Sequence, residues 1–303
     1  MTHMAGPQDT AAAQEPDELG ELLQEVGGPV SLACGRWLVV AAHPDDETIG
    51  ASWILRRSRD AYVLHVTDGA PRDRALWSCS FRGTRRQYAV LRAREAQRAL
   101  VRVGLLPGRR LCLSLVDQEA SWALLEITRR IEQTICLLAP AVVVVHPYEG
   151  GHPDHDAVAF AVHAAVARLR ARRWAVPFVL EMASYHRAHG RLETGGFLPG
   201  PEARAERTLG SNEQAEKEMM LACFASQKSV LADFTCGRER YRRAPAYDFR
   251  CAPHSGRLHY ESLGRSMTGQ WWRALAKTAL VALGLTRLPD GRGEIDPVRS
   301  GPC

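Results

Sequence analysis

Five short apolar runs alternate with longer segments of helical spacing over residues 37–184, and this alternation limits the folds open to the chain. Each run spans five to eight residues, which is the length of a strand rather than of a helix. The runs are WLVVAA at 37–42, YVLHVT at 62–67, LCLSLV at 111–116, AVVVV at 141–145 and PFVLEMAS at 177–184. Strands and helices that alternate in this way indicate βαβ units, which form a parallel sheet covered on both faces. The sequence therefore predicts an α/β fold, Rossmann-like and doubly wound, with a mostly parallel sheet.

Two polar motifs closely follow the first and the fourth of these runs. They are Ala-His-Pro-Asp-Asp-Glu at 42–47 and His-Pro-Asp-His at 152–155. Either motif alone is also typical of a solvated turn, but ligands bind at the carboxyl ends of parallel strands, so the two can converge on one cleft. Histidine and aspartate ligands with a free coordination position suit a catalytic divalent metal. No Gly-rich nucleotide-binding loop competes for this place in the fold.

The two motifs together resemble those of the LmbE-like, or PIG-L, deacetylases, which remove N-acetyl groups from GlcNAc-containing and related amino-sugar substrates. The resemblance implies a metal-dependent N-acetyl deacetylase, a hydrolase of carbon–nitrogen amide bonds, with Zn²⁺ as the default cofactor and Fe²⁺ also compatible with the ligand set. The implied roles are metal ligand for His43, Asp46 and His155, general base for Asp45, oxyanion stabilisation or amine protonation for His152, and orientation of His152 for Asp154.

Other positions follow the family pattern less closely. Arg92, in an Arg-x-x-Glu element of a long predicted helix, resembles a substrate-binding arginine, with a surface charge pair as the alternative. Asp117, at a strand end, resembles an acid that binds sugar hydroxyls, with a helix N-cap as the alternative. Glu47 is expected to be structural. In some relatives a tyrosine that polarises the carbonyl lies two residues before the second motif, where this chain has Gly150.

The strand–helix pattern covers only part of the chain. We predict a catalytic domain at residues 35–190, preceded by a disordered or short-helix N-terminal extension at residues 1–34. Residues 191–285 are predicted to form a C-terminal extension that packs on this domain, and residues 286–303 a tail. Within the extension, the Gly-, Pro- and Arg-rich residues 191–210 predict a loop, and a capping box at Ser211 predicts a helix that reaches about Phe234.

Composition excludes several classes of protein. Eight single cysteines without C-x-x-C spacing favour a reducing compartment, and no apolar run is long enough to cross a membrane. We therefore expect a cytoplasmic protein without an integral membrane segment. The net charge of +5 points to no particular partner. The expected partner is a small N-acetylated molecule and not a nucleic acid, and the oligomeric state stays open.

Two alternative functions stay open. One is a deacetylase that acts on a non-sugar amide. The other is a non-catalytic carbohydrate-binding protein on the same fold. The second is disfavoured because an unpaired buried carboxylate or imidazole is costly once a metal is lost, whereas this chain retains every polar residue of both motifs.

Overall fold

The computed structural model describes residues 18–234, 236–263 and 267–285. The predictions made for residues 1–17 and for the tail at 286–303 lie outside the described residues. Within these ranges no helix is long and apolar enough to span a bilayer.

The helices and strands alternate up to the fifth strand, as the sequence predicts. The helices are α1 (Glu18–Glu25), α2 (Asp46–Arg57), α3 (Arg85–Arg102), α4 (Leu124–Leu138), α5 (Pro153–Ala171), α6 (Ser211–Ala222), α7 (Lys228–Leu231), α8 (His259–Ser262) and α9 (Gly269–Ala282). The strands are β1 (Trp37–Ala41), β2 (Ala61–Thr67), β3 (Arg110–Leu115), β4 (Val142–Val145), β5 (Phe178–Met182), β6 (Tyr185–Ala188), β7 (Arg191–Thr194), β8 (Arg204–Thr208) and β9 (Arg238–Arg243).

Seven strands form one central sheet in the order β3-β2-β1-β4-β5-β9-β8. Strands β1 to β5 pair in parallel, and β9 and β8 continue the sheet in antiparallel fashion beyond β5. Strands β6 and β7 form a separate two-stranded ribbon. The predicted mostly parallel α/β fold is confirmed.

Helices cover both faces of the sheet because alternate residues of the strands point to opposite sides. On one face, Leu38 and Val40 of β1 pack in a core with α4, α5 and α9. On the other face, Trp37 and Val39 pack with α1 and α2. The central strands β1 and β4 are buried along their whole length, which explains their continuous apolar sequence.

The region after residue 190 departs from the sequence prediction. The loop predicted at 191–210 is wrong, because β7 and β8 lie within it. These strands are rich in charged residues, and a polar strand at the edge of a sheet lacks the apolar run on which the prediction rests. The helix predicted from Ser211 to about Phe234 ends at Ala222, since Phe224 leaves the helical conformation with φ −90° and ψ 57°.

Candidate metal centre

The two motifs meet at the carboxyl ends of the central strands. The strand order reverses between β1 and β4, and clefts form at such switch points in open α/β sheets. His43 follows β1, and His146 follows β4. Helix α5 begins at Pro153 and brings His155 to the same place, and Asp117 approaches from the loop after β3.

The three residues predicted as metal ligands lie together, with His43 and His155 on the carboxylate of Asp46. Its Oδ2 is 3.2 Å from Nδ1 of His43, and its Oδ1 is 3.2 Å from Nε2 of His155. Burial alone would raise the pKa of Asp46, but the neighbouring His155 and His146 hold it well below its usual value. Burial lowers the pKa of His155 to about 3, against the opposing charge of Asp46.

His146 belongs to the same cluster, although it lies in neither motif. Its ring stacks on His155, with centroids 3.9 Å apart and an interplanar angle of 14°. Its Nε2 lies 3.4 Å from Oδ2 of Asp46 and accepts a hydrogen bond from the backbone amide of Ala42. The sequence did carry a signal for this residue, because His146 directly follows a buried strand that ends at the site.

The carboxylate of Asp45 pairs with Arg92. Nη2 of Arg92 donates to Oδ2 of Asp45 at 2.9 Å and to the carbonyl oxygen of Pro44 at 2.7 Å. Arg92 is only 2% exposed, so the guanidinium lies beneath the first motif. Burial raises the pKa of Asp45 to about 7, against the opposing charge of Arg92. A carboxylate with a pKa near neutrality is suited to general base catalysis.

Two carboxylates lie at the other nitrogen of His43. Its Nε2 is 3.1 Å from Oδ1 of Asp117 and 3.3 Å from Oδ2 of Asp154. Asp154 also accepts hydrogen bonds from the backbone amides of Gln118 and Ala120. Burial would lower the pKa of His43, but the carboxylates of Asp117 and Asp154 outweigh this effect and raise it well above its usual value. The carboxylate of Asp154 thus orients His43 and the loop after β3.

His152 forms the cap of α5 and faces the ring of His43, with centroids 4.6 Å apart. Its Nδ1 accepts a hydrogen bond from the backbone amide of Asp154. Nε2 of His152 is 2.8 Å from the side-chain nitrogen of Gln118. Gln118 has φ 73°, a conformation uncommon outside glycine, and nothing in the sequence singled it out.

Two further contacts, made by Glu47 and Ser184, hold the residues of the cluster in place. Glu47 is fully buried, with Oε2 2.9 Å from Nε2 of His65, and it therefore links the start of α2 to β2. Oγ of Ser184 lies 3.2 Å from Nδ1 of His155. A metal-binding histidine is commonly oriented by a partner at its second nitrogen, and Ser184 occupies that place for His155.

Gly150, the position where some relatives carry a tyrosine, has no room for a side chain. It has φ 71°, and a Cβ there would lie 2.6 Å from Cδ2 of Leu258. Leu258 belongs to the region after residue 190, so this part of the chain packs directly on the loop that precedes His152.

The donor set of this cluster fits a divalent cation. Asp46, His146 and His155 each offer a ligand atom within 4.8 Å of the others, and so do His43, His152 and His155. Nε2 of His155 is buried, and its 3.2 Å contact with Oδ1 of Asp46 falls outside hydrogen-bond geometry, a cost that a cation held between the two atoms would remove. Imidazoles mixed with carboxylate are typical ligands of catalytic zinc and iron.

Residues 38–166 match the family model described as PIG-L, GlcNAc-PI de-N-acetylase. The predicted family resemblance is confirmed, and the matched residues contain both motifs, His146 and the arginine beneath Asp45. No curated protein sequence matches the chain significantly.

Solved structures with the same fold include three deacetylases. The first is a deacetylase of teicoplanin biosynthesis, with 15% identity and a TM-score of 0.50 over 69% of this chain and 98% of its own. The A40926 pseudoaglycone deacetylase has 19% identity and a TM-score of 0.50 over 70% and 99%. The N,N'-diacetylchitobiose deacetylase of Pyrococcus horikoshii has 18% identity and a TM-score of 0.50 over 71% and 79%. At these identities the likeness concerns the fold alone.

Proposed function

We propose that this protein is a metal-dependent hydrolase that removes an N-acetyl group from an amino sugar or a GlcNAc-containing conjugate. The observation that carries the proposal is the buried cluster in which Asp46 contacts both His43 and His155 beside the separate carboxylate of Asp45. The PIG-L match over the same residues supports it. The names of the solved deacetylases, which refer to teicoplanin, a pseudoaglycone and diacetylchitobiose, support the amino-sugar class.

In this proposal His43, Asp46 and His155 hold the metal, and His146 stabilises Asp46 and His155 from one side. Zn²⁺ is the default ion, and Fe²⁺ is also compatible with two histidines and a carboxylate. A divalent cation bound there would lower the pKa of a bound water towards 7 and polarise the substrate carbonyl.

Asp45 takes the proton of the attacking water. Arg92 holds the carboxylate at 2.9 Å, so the base stays in one orientation while the substrate binds. We assign Arg92 to this positioning role, since its guanidinium is buried and donates to Asp45 and Pro44. The raised pKa of Asp45 supports a group that accepts a proton near neutral pH.

His152 stabilises the developing oxyanion, and the proton that Asp45 takes from the water passes to the leaving amine. The backbone amide of Asp154 bonds to Nδ1, so Nε2 is the nitrogen that the substrate can reach once it displaces the side-chain amide of Gln118, 2.8 Å away. Asp117, with a side chain 14% exposed, remains the candidate for binding a sugar hydroxyl.

Acetate release from a panel of N-acetyl sugars and N-acetyl acyclic amines tests the proposal, together with the metal content of the purified protein. We expect stoichiometric metal and activity on sugars. His155→Ala should lose both, whereas His189→Asn, at the exposed turn between β6 and β7, should keep both. Wild-type protein without metal would contradict the proposal. Activity on acyclic amides alone would favour the non-sugar alternative, and metal-loaded protein that binds sugars without cleaving them would favour a binding protein.

A further inference from the structure

Three aromatic rings stand together beside His155. The ring of Tyr185 packs edge-on against that of His155, with centroids 5.1 Å apart. Tyr185 also contacts the rings of Phe234 and His259, at 5.7 Å and 5.8 Å. All three residues are partly exposed, and together they form an aromatic wall (Tyr185, Phe234 and His259).

Close backbone contacts hold the wall against the loop that leads to His152. A Cβ at Gly151 would lie 1.9 Å from the carbonyl oxygen of Tyr185, so only glycine allows β6 to approach this closely. On the other side, the backbone amide of His259 donates to the carbonyl oxygen of Gly150 at 2.8 Å. The wall is therefore fixed to the same short loop that positions the catalytic residues.

The chemistry of the wall differs from that of the rest of the site. The metal centre is lined by carboxylates and imidazoles, whereas Tyr185 and Phe234 offer apolar ring faces and Tyr185 and His259 add polar tips. Such side chains suit a ligand that combines an apolar face with hydroxyl groups. A pyranose ring has this character, because its C–H groups point to the two faces and its hydroxyls lie around the edge.

We infer that Tyr185, supported by Phe234 and His259, binds the apolar face of the sugar ring next to the scissile amide and so determines substrate specificity. This inference rests on the proposed function. Because the wall contacts the ring and not the reacting amide, it contributes to binding of cyclic substrates and adds little to the chemical step. Acyclic N-acetyl amines lack the ring face and do not use the wall.

The test compares Tyr185→Ala and Tyr185→Phe on an N-acetyl hexosamine and on an N-acetyl acyclic amine. We expect Tyr185→Ala to raise KM for the sugar about tenfold more than it raises KM for the acyclic amine. Tyr185→Phe should retain most of the sugar affinity. Trp174→Ala, an exposed tryptophan just beyond the far end of α5, is the control.

Three results would overturn the inference. They are an unchanged sugar KM in Tyr185→Ala, an equal loss on sugar and acyclic substrates, and a fall in kcat with KM unchanged. If wild-type protein cleaves none of the substrates, the proposed function fails, and calorimetric binding of the N-acetyl hexosamine then decides the inference by itself. If the wild-type protein binds the N-acetyl hexosamine and Tyr185→Ala binds it about tenfold more weakly, the role of the wall in sugar binding is supported. If the wild-type protein does not bind the sugar, that role is refuted.

Discussion

Asp45 and Asp46 are neighbours with different expected roles, and exchanging each carboxylate for an amide separates them. Asp45→Asn and Asp46→Asn are isosteric changes one position apart at the start of the same helix. Any general effect of an amide on the fold should therefore be similar in the two variants. What differs is the partner that each side chain contacts, which is Arg92 for Asp45 and three imidazoles for Asp46.

The expected sizes of the two effects follow from these contacts. In Asp45→Asn the amide oxygen can still accept from Arg92, and Glu95 remains 3.4 Å from the guanidinium to balance its charge. Stability should thus fall by less than the ~3–5 kcal/mol that an unpartnered buried charge costs. Loss of a general base should reduce kcat by about 10²–10⁴-fold, which is about 3–5 kcal/mol in the barrier. In Asp46→Asn the anionic ligand itself is lost.

Elemental analysis and acetate release decide between these roles. We expect Asp45→Asn to keep its metal and lose activity, and Asp46→Asn to lose both. If Asp45→Asn were empty of metal while Asp46→Asn kept it, the assignment of ligand and base would be reversed. If both variants kept metal and full activity, neither carboxylate would belong to the reaction.

Three further changes test the surroundings of the site. Arg92→Met leaves Asp45 and Glu95 without their buried cation, and denaturant unfolding should show a loss of about 3–5 kcal/mol. His146→Phe keeps the ring stacked on His155 but removes the nitrogen beside Asp46, so chelator competition should show metal bound about 10–100-fold more weakly. Burial, reinforced by Arg170, lowers the pKa of His163 to about 4. The unfolded chain then binds more protons than the native state below about pH 6.5. The free energy of unfolding should therefore fall by at most ~3 kcal/mol as the pH drops towards 4. His163→Gln should show a smaller fall, and denaturant unfolding at pH 7 and at pH 5 measures the difference.

The first half of the chain could be predicted well because its sequence signals and its structure have the same cause. Strands β1 and β4 are buried on both faces, so they must be apolar, and an apolar run of that length is the signal itself. The first motif lies directly after one of these strands and the second a short loop after the other, so the fold brings them together without further information. The predicted α/β fold and family resemblance are both confirmed.

The remainder could not be predicted because it depends on contacts between distant polar residues. Strand β9 carries Glu239 and Arg242, which are buried, and each is neutralised by a partner from elsewhere in the chain. Read alone, its sequence resembles a solvated surface. Two residues of the site could not be predicted for the same reason. Gln118 and Ser184 contact residues of the site that lie more than 25 positions away in the sequence, and the backbone geometry that brings them there leaves no local pattern.

Strand β8 ends the sheet on the side of the antiparallel strands, and an edge strand exposes unpaired backbone groups to other molecules. Its sequence, Arg-Ala-Glu-Arg-Thr at 204–208, places charged side chains at this edge, and Glu206 pairs with Arg240 of β9. Adding a strand from another molecule would bury these charges, so the edge resists the strand-to-strand association that leads to aggregation. Variants with valine or threonine at positions 204 and 206 would lose this protection and should precipitate at lower protein concentration.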